Sequence, residues 1–328
     1  MKMSKVLEVK GLTTQFESKN GPLTVVDQVD FIVEKGEVLG IVGESGCGKS
    51  VTSLSILQLL DKHGTISSGE VFYQNINLVE KNEKEMKKIR GKEISMIFQD
   101  PMTSLNPVLT IGKQIGEVIE QHEKLKGQEV KQKVVKLLQL VGIPRADEIY
   151  HEYPHRLSGG MKQRVMIAIA IACNPTLLIA DEPTTALDVT IQAQILDLLR
   201  SLKDEMDMSM LLITHDLGVV AEMCDRVVVM YAGQVVETTD TRTLLRHPKH
   251  PYTIGLIQST PHQSKGEKRL KSILGQVPTP DQFSHGCRFV ERCPKAMEIC
   301  QSTAPPLYDV DSHTSCRCWL YENKGDVI

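Results

Sequence analysis

An apolar pentapeptide, Val38-Leu39-Gly40-Ile41-Val42, runs directly into Gly43-Glu44-Ser45-Gly46-Cys47-Gly48-Lys49-Ser50, and this junction restricts the fold more than any other part of the chain. Five residues without a polar side chain read as a strand buried on both faces, the kind a parallel sheet uses. The octapeptide fits G-x-x-x-x-G-K-[ST], and a helical pattern follows over residues 51–60. In a strand–loop–helix context the glycines let backbone N–H groups turn inward around phosphate oxygens, and the helix N-terminus adds partial positive charge. Lys49 would reach the β- and γ-phosphates, and the Ser50 hydroxyl would ligate Mg²⁺. The candidate nucleotide-binding set is therefore Gly43, Glu44, Ser45, Gly46, Cys47, Gly48, Lys49, Ser50 and the adjoining Val51.

A second stretch, residues 157–188, supplies acids. It opens on Leu157-Ser158-Gly159-Gly160-Met161, continues as a helix-like segment over 161–173, breaks at Asn174-Pro175 and resumes as the apolar strand 177–180. That strand ends in Asp181-Glu182-Pro183. Open α/β sheets place chemistry at the carboxyl ends of their strands, so paired carboxylates there are candidates for it. The same reasoning marks Gln99, at the end of the strand 94–98, and His215, at the end of the strand 210–213. Alone, each would be an ordinary polar strand end.

Elsewhere, residues 6–9, 31–34 and 69–73 read as short strands, and 81–90 as a solvated helix. Residues 111–141 read as two helices joined near Lys126-Gly127, an inserted helical subdomain over about 100–172. An amphipathic helix is expected over 190–202 and a hairpin around Ala232-Gly233. Prolines accumulate after Asp240, which places a domain boundary near Pro261: a main domain over 1–260 and an extension over 261–328.

The formal net charge of -3 offers no footprint for nucleic acid. The longest apolar run, 165–173, falls well short of the roughly 20 residues that span a bilayer. The opening MKMSKVLEVKGL has no apolar core of a secretory signal. A cytosolic chain able to dock on a membrane protein is expected. Five of the eight cysteines crowd the tail. Cys287, Cys293, Cys300 and Cys318 follow a C-x5-C-x6-C-x17-C spacing, unlike the usual zinc ribbon. In a reducing compartment four thiolates hold Zn²⁺ or an iron–sulfur cluster, or remain reduced structural thiols. Cys316 competes with Cys318 for the fourth place.

Taken together, these motifs resemble the ATP-binding-cassette (ABC) ATPase family. Residues 43–50 are similar to its Walker A loop, Gln99 to its Q-loop and residues 157–161 to its signature. Residues 177–182 are similar to its Walker B strand, Ala186-Leu187-Asp188 to its D-loop and His215 to its switch histidine. The resemblance implies an α/β P-loop NTPase cassette with a parallel-sheet core, an antiparallel β subdomain and a helical subdomain. It also implies Phe16 as the aromatic that stacks on adenine. Gln99-Asp100-Pro101-Met102-Thr103-Ser104-Leu105-Asn106-Pro107 resembles the oligopeptide/dipeptide/nickel importer branch more closely. So do Tyr153-Pro154-His155-Arg156, His250-Pro251-Tyr252-Thr253 and Gly286-Cys287-Arg288-Phe289.

What the resemblance implies is concrete. Two homologous cassettes would pair head to tail as a heterodimer beneath two transmembrane permeases served by an extracytoplasmic peptide-binding protein. The chain would lie peripherally on the cytoplasmic face of the membrane and hydrolyse ATP to import di- and oligopeptides. Asp181 would hold Mg²⁺, sensed by Gln99. Glu182 would orient or deprotonate water, and His215 would contact the γ-phosphate. Ser158, Gly159, Gly160 and Asp188 would serve the nucleotide across the dimer. The branch carries a C-terminal cysteine pattern associated with a [4Fe–4S] cluster, and Cys318-Trp319-Leu320-Tyr321 resembles its ending. Import of nickel or another small solute is the alternative. A soluble cassette of DNA repair or translation fits poorly, because one cassette, no large insertion and no basic excess are present. Glu182→Gln is expected to keep ATP binding and lose most hydrolysis, checked by nucleotide binding and phosphate release in the assembled complex; near-normal turnover would contradict the assignment.

Overall fold

The computed structural model describes residues 4–19, 21–100, 104–185, 187–259 and 273–322. Three features named above lie outside them: residues 101–103 of the importer-like motif, Ala186 of the D-loop, and the boundary near Pro261. The chain divides into two compact units. One comprises residues 7–33, 38–79 and 213–328; the other comprises 1–6, 34–37 and 80–212.

The first unit contains a sheet whose order is β2-β1-β4-β5, with β1 at Lys5–Ser18, β2 at Gly21–Glu34, β4 at Gly64–Tyr73 and β5 at Ile76–Asn77. β1 and β4 pair antiparallel. Both β1 and β2 run to 14 residues, far beyond the short strands expected over 6–9 and 31–34. Two things hide their length. The β1–β4 register slips between Lys10 and Thr13, which breaks the period-two alternation. Past the slip the inward side chains include hydroxyls, which are buried because they pair: Thr14 Oγ1 and Ser55 Oγ lie 2.8 Å apart.

Parallel pairing begins at β3 (Val38–Val42), every residue of which is buried, and which pairs with β9 (Arg226–Tyr231). The order continues through β10 (Gln234–Asp240) and β12 (Ser315–Cys316) to β11 (Tyr308–Asp309). The two-residue strands come from the cysteine-rich tail and have no periodicity of their own; Glu237 opposite Cys316 sets their register. α1 (Lys49–Ile56) follows β3, α8 (Leu217–Met223) follows Thr214, and α10 (Pro251–Gln258) precedes the tail.

The second unit carries β6 (Ile94–Ile97) paired parallel to β7 (Leu177–Asp181), with β8 (Ser209–Thr214) next in order and its last two residues passing into the first unit. Leu177, Leu178, Ile179 and Ala180 are wholly buried, as an unbroken apolar run in a parallel sheet requires. The helical portion holds α3 (Ile111–His122), α4 (Gln128–Leu140) and α6 (Gly159–Ala170). α3 buries Ile111, Ile115 and Ile119 at helical spacing, and Thr110 accepts a hydrogen bond from Lys113 N at its start. α6 ends three residues before the expected end at Cys173, and α7 (Val189–Glu205) runs three beyond the expected Leu202.

At Gly69, in β4, φ is +97°, and a Cβ would sit 2.5 Å from the Gly11 carbonyl oxygen. Backbone cannot yield as a flexible side chain does. Gly69→Ala is therefore expected to destabilise the protein by about 3 kcal/mol, combining left-handed strain with the clash, read as a lowered urea midpoint at unchanged m-value.

Candidate active site

In the first unit the loop leaving β3 closes on its own lysine. Gly48 caps α1 with φ +95°, a conformation that favours glycine and aims the first helical amides back into the loop. Lys49 is only 5% exposed. Its Nζ donates to the carbonyls of Gly43 at 2.8 Å and Glu44 at 3.0 Å. Cys47 fills the loop's underside: it is wholly buried, and burial pushes its thiol up against the lowering pull of Lys49. Ser45 and Gly46 are exposed at the tip. A buried ammonium held by neutral carbonyls beside converging amides is suited to an anion.

His215 lies exposed just beyond β8 in the same unit. Asp216 caps α8 by accepting from Gly218 N at 2.7 Å. Phe16, the adenine candidate, lies in β1 opposite Gly64, and its ring fills the space a Gly64 Cβ would occupy.

Sequence reasoning missed the groups that brace this loop. Tyr252 Oη accepts the Glu44 N–H at 2.8 Å. The Glu44 carboxylate takes a two-pronged ion pair from Arg292, at 3.2 and 3.0 Å. Both partners lie more than 200 residues away, where no local pattern reaches them.

In the second unit β7 ends in Asp181, 3% exposed, and then Glu182. Glu182 adopts φ +47°, uncommon for a non-glycine residue, and its turn aims the carboxylate at two donors. Gln99 Nε2 donates to its Oε2 at 3.2 Å and Thr185 Oγ1 to the same oxygen at 2.8 Å. The motif pattern contains Gln99 and Glu182, while Thr185 carries no signal in it. Ser158 caps α6 through Met161 N at 3.3 Å, and Asp188 caps α7 through Ile191 N at 3.0 Å. Gly159 and Gly160 form the first turn of α6.

The tail cysteines Cys287, Cys293, Cys300 and Cys318 line one small cavity with His250, Phe289 and Trp319. Burial pushes the Cys287 thiol up to about 11, with the neighbouring thiols Cys300, Cys293 and Cys318 adding to the rise. Burial raises Cys293 and Cys318 as well. Cys316 is not in that lining; it is buried opposite Glu237. Mutually raising thiols suit a cation chemically, and a metal entering here must displace protons. Their disposition fits less well: among the described residues no group of three or more His, Cys, Asp or Glu side chains is arranged to hold a metal ion.

Comparison with known proteins places the chain. A family model described as "ABC transporter" matches residues 26–185, and one described as "Oligopeptide/dipeptide transporter, C-terminal region" matches 236–300. The chain is 55% identical over 324 residues to the oligopeptide transport ATP-binding protein AppD of Bacillus subtilis, covering 98% of this chain and 99% of that one. It belongs to the ATP-binding subunits of oligopeptide/dipeptide ABC transporters. The dipeptide transport ATP-binding protein DppD of Haemophilus influenzae is 50% identical, with 98% of each chain covered. Among solved structures, the cassette MJ0796, in a dimeric post-hydrolysis state bound to ADP and Pi, superposes with TM-score 0.65 at 28% identity. It covers 72% of this chain and 99% of that one. As an ABC-family ATP-binding subunit the chain is an ATPase. No helix among its described residues is long and apolar enough to cross a membrane.

Proposed function

We propose that the chain hydrolyses ATP to energise the import of di- and oligopeptides, as one of two homologous cassettes docked on the cytoplasmic side of a pair of permeases that a peptide-binding protein supplies. One observation carries the nucleotide reading: Lys49 is buried, and its ammonium turns onto the loop's own Gly43 and Glu44 carbonyls. These are weak neutral acceptors that a triphosphate would replace with charge-assisted bonds.

Residues 43–51 would wrap the phosphates through backbone amides, with Lys49 compensating charge on the β- and γ-phosphates. Mg²⁺, when bound, would screen the phosphate charge, with Ser50 and Asp181 as protein ligands and Gln99 as the residue sensing it. Glu182 would position or deprotonate the attacking water, and its bonds from Gln99 and Thr185 support a held carboxylate. His215 would contact the γ-phosphate, and Phe16 would stack on the adenine. Positioning and charge compensation are what phosphoryl transfer chiefly requires.

Ser158 to Gly160 and Asp188 would complete the partner cassette's site. This reading is supported by their placement at helix N-termini, where amide donors have no intrahelical acceptor. The dimeric form of the related cassette MJ0796 also supports it. Cys287, Cys293, Cys300 and Cys318 would hold a [4Fe–4S] cluster, supported by their shared cavity.

Two measurements test this. Ser158→Asp keeps an N-cap acceptor, so the unfolding midpoint should move by less than about 1 kcal/mol. It also puts a carboxylate against the partner's γ-phosphate, so ATPase in the assembled transporter should fall by about 10²-fold or more; retained ATPase would contradict the shared-site reading. Anaerobically purified protein should show the broad visible absorbance of an iron–sulfur cluster and about four irons per chain; zinc or no metal would contradict the cluster.

A further inference from the structure

Glu44 is an odd residue to find in a loop built for an anion. A carboxylate among amides that converge on phosphates opposes the ligand electrostatically unless something compensates it. Here a compensating group is present. The Arg292 guanidinium meets both Glu44 oxygens, at 3.2 and 3.0 Å, and its side chain is 6% exposed against 30% for Glu44.

Arg292 is itself held on every side. Its Nε donates to the Leu274 carbonyl at 2.9 Å, and its Nη1 also donates to Tyr231 Oη at 3.3 Å. The guanidinium carbon lies 5.6 Å from the Tyr231 ring centre and 6.0 Å from that of Phe289. Tyr231, Tyr252 and Phe289 pack on one another with centroids 4.7 to 5.5 Å apart. From this cluster Tyr252 Oη takes the Glu44 N–H. Glu44 is thus gripped at backbone and side chain by residues from the C-terminal half, and its carbonyl accepts from Lys49. A planar fork fixes both the position and the charge of the carboxylate, which a lysine cannot do.

We infer that Arg292 is a positioning residue for ATP binding: it neutralises and fixes Glu44, so that residues 43–49 present their amides and Lys49 to the phosphates. The inference rests on the reading of that loop as the phosphate site. It assigns the C-terminal region a direct part in the cassette's nucleotide affinity, exerted through one ion pair.

The test is equilibrium titration of the full-length chain with a fluorescent N-methylanthraniloyl ATP in Mg²⁺, beside thermal melts without nucleotide. Arg292→Gln strands an uncompensated carboxylate and is expected to weaken binding roughly tenfold. Glu44→Gln is expected to cost roughly threefold or less. The double variant should bind more tightly than Arg292→Gln alone, because the stranded charge is gone. A merely structural arginine would not give this sign reversal. In the assembled transporter Arg292→Gln should raise KM for ATP with kcat largely kept. Wild-type affinity in Arg292→Gln, or a double variant as weak as the product of the two single losses, overturns the inference. If Arg292→Gln gives no cooperative melt, Arg292→Lys replaces it: roughly threefold weaker binding is expected, because lysine keeps the charge and loses the two-pronged fork, and unchanged binding overturns. Lys49→Ala separates the two readings. Loss of binding there with unaltered Arg292→Gln sinks the positioning role alone, whereas retained binding in Lys49→Ala sinks the phosphate site itself.

Discussion

The Lys49 ammonium is out of water and held by two carbonyls of its own loop. A buried cation is costly unless compensated, and two neutral acceptors compensate it only in part. The chain maintains this arrangement because β3 is buried along its whole length and ends at Val42, just before Gly43, so the loop has one exit. α1 begins at Lys49 itself, which places the side chain on the first helical turn, beside amides without intrahelical acceptors. Strand burial, loop geometry and the position of the cation are one constraint. A cation held in this way is suited to an anion.

The C-terminal region serves that constraint from a long sequence distance. Arg292 grips Glu44, Arg288 pairs with Asp27, and the Arg317 Nε donates to the Val235 carbonyl at 2.8 Å. β12 adds to β10 with Cys316 opposite Glu237. Glu237 is a wholly buried carboxylate whose burial raises it. The amides of Lys249 and His250, each donating at 2.8 Å, offset the cost. These polar links explain why residues 273–322 fall in one compact unit with residues 43–50.

Legibility in the sequence followed chemistry. Wholly apolar runs such as 38–42 and 177–180 announce buried parallel strands, because neither face tolerates a polar side chain. Residues 10–18 do not, since a bulge breaks the alternation and paired hydroxyls stand where carbon would be expected. The two-residue strands of the tail have no signal, because pairing with β10 alone creates them. The motif residues could be named as candidates because G-x-x-x-x-G-K-[ST] sets glycine, lysine and serine at fixed spacings. Their supports were not: Tyr252 stood in the importer-like motif 250–253 without a role, and Arg292 and Thr185 carried no signal, because arginine and threonine are common and serve many roles.

By itself the sequence determined the family and the order of its motifs, and it named candidate residues for the chemistry, because local backbone geometry and fixed spacing encode them. It favoured Cys318 over Cys316 only through the resemblance of residues 318–321 to the branch's ending, offered Phe16 on position alone and was silent on what holds Glu44 and Glu182. Tertiary structure decided that Cys318 lines the cavity of Cys287, Cys293 and Cys300 while Cys316 is buried in a strand pair. It turned the Glu182 carboxylate toward Gln99 and Thr185. It also brought Arg292 to Glu44 across 248 positions. Contacts of that range depend on how strands and turns close in space, which no local pattern of residues records.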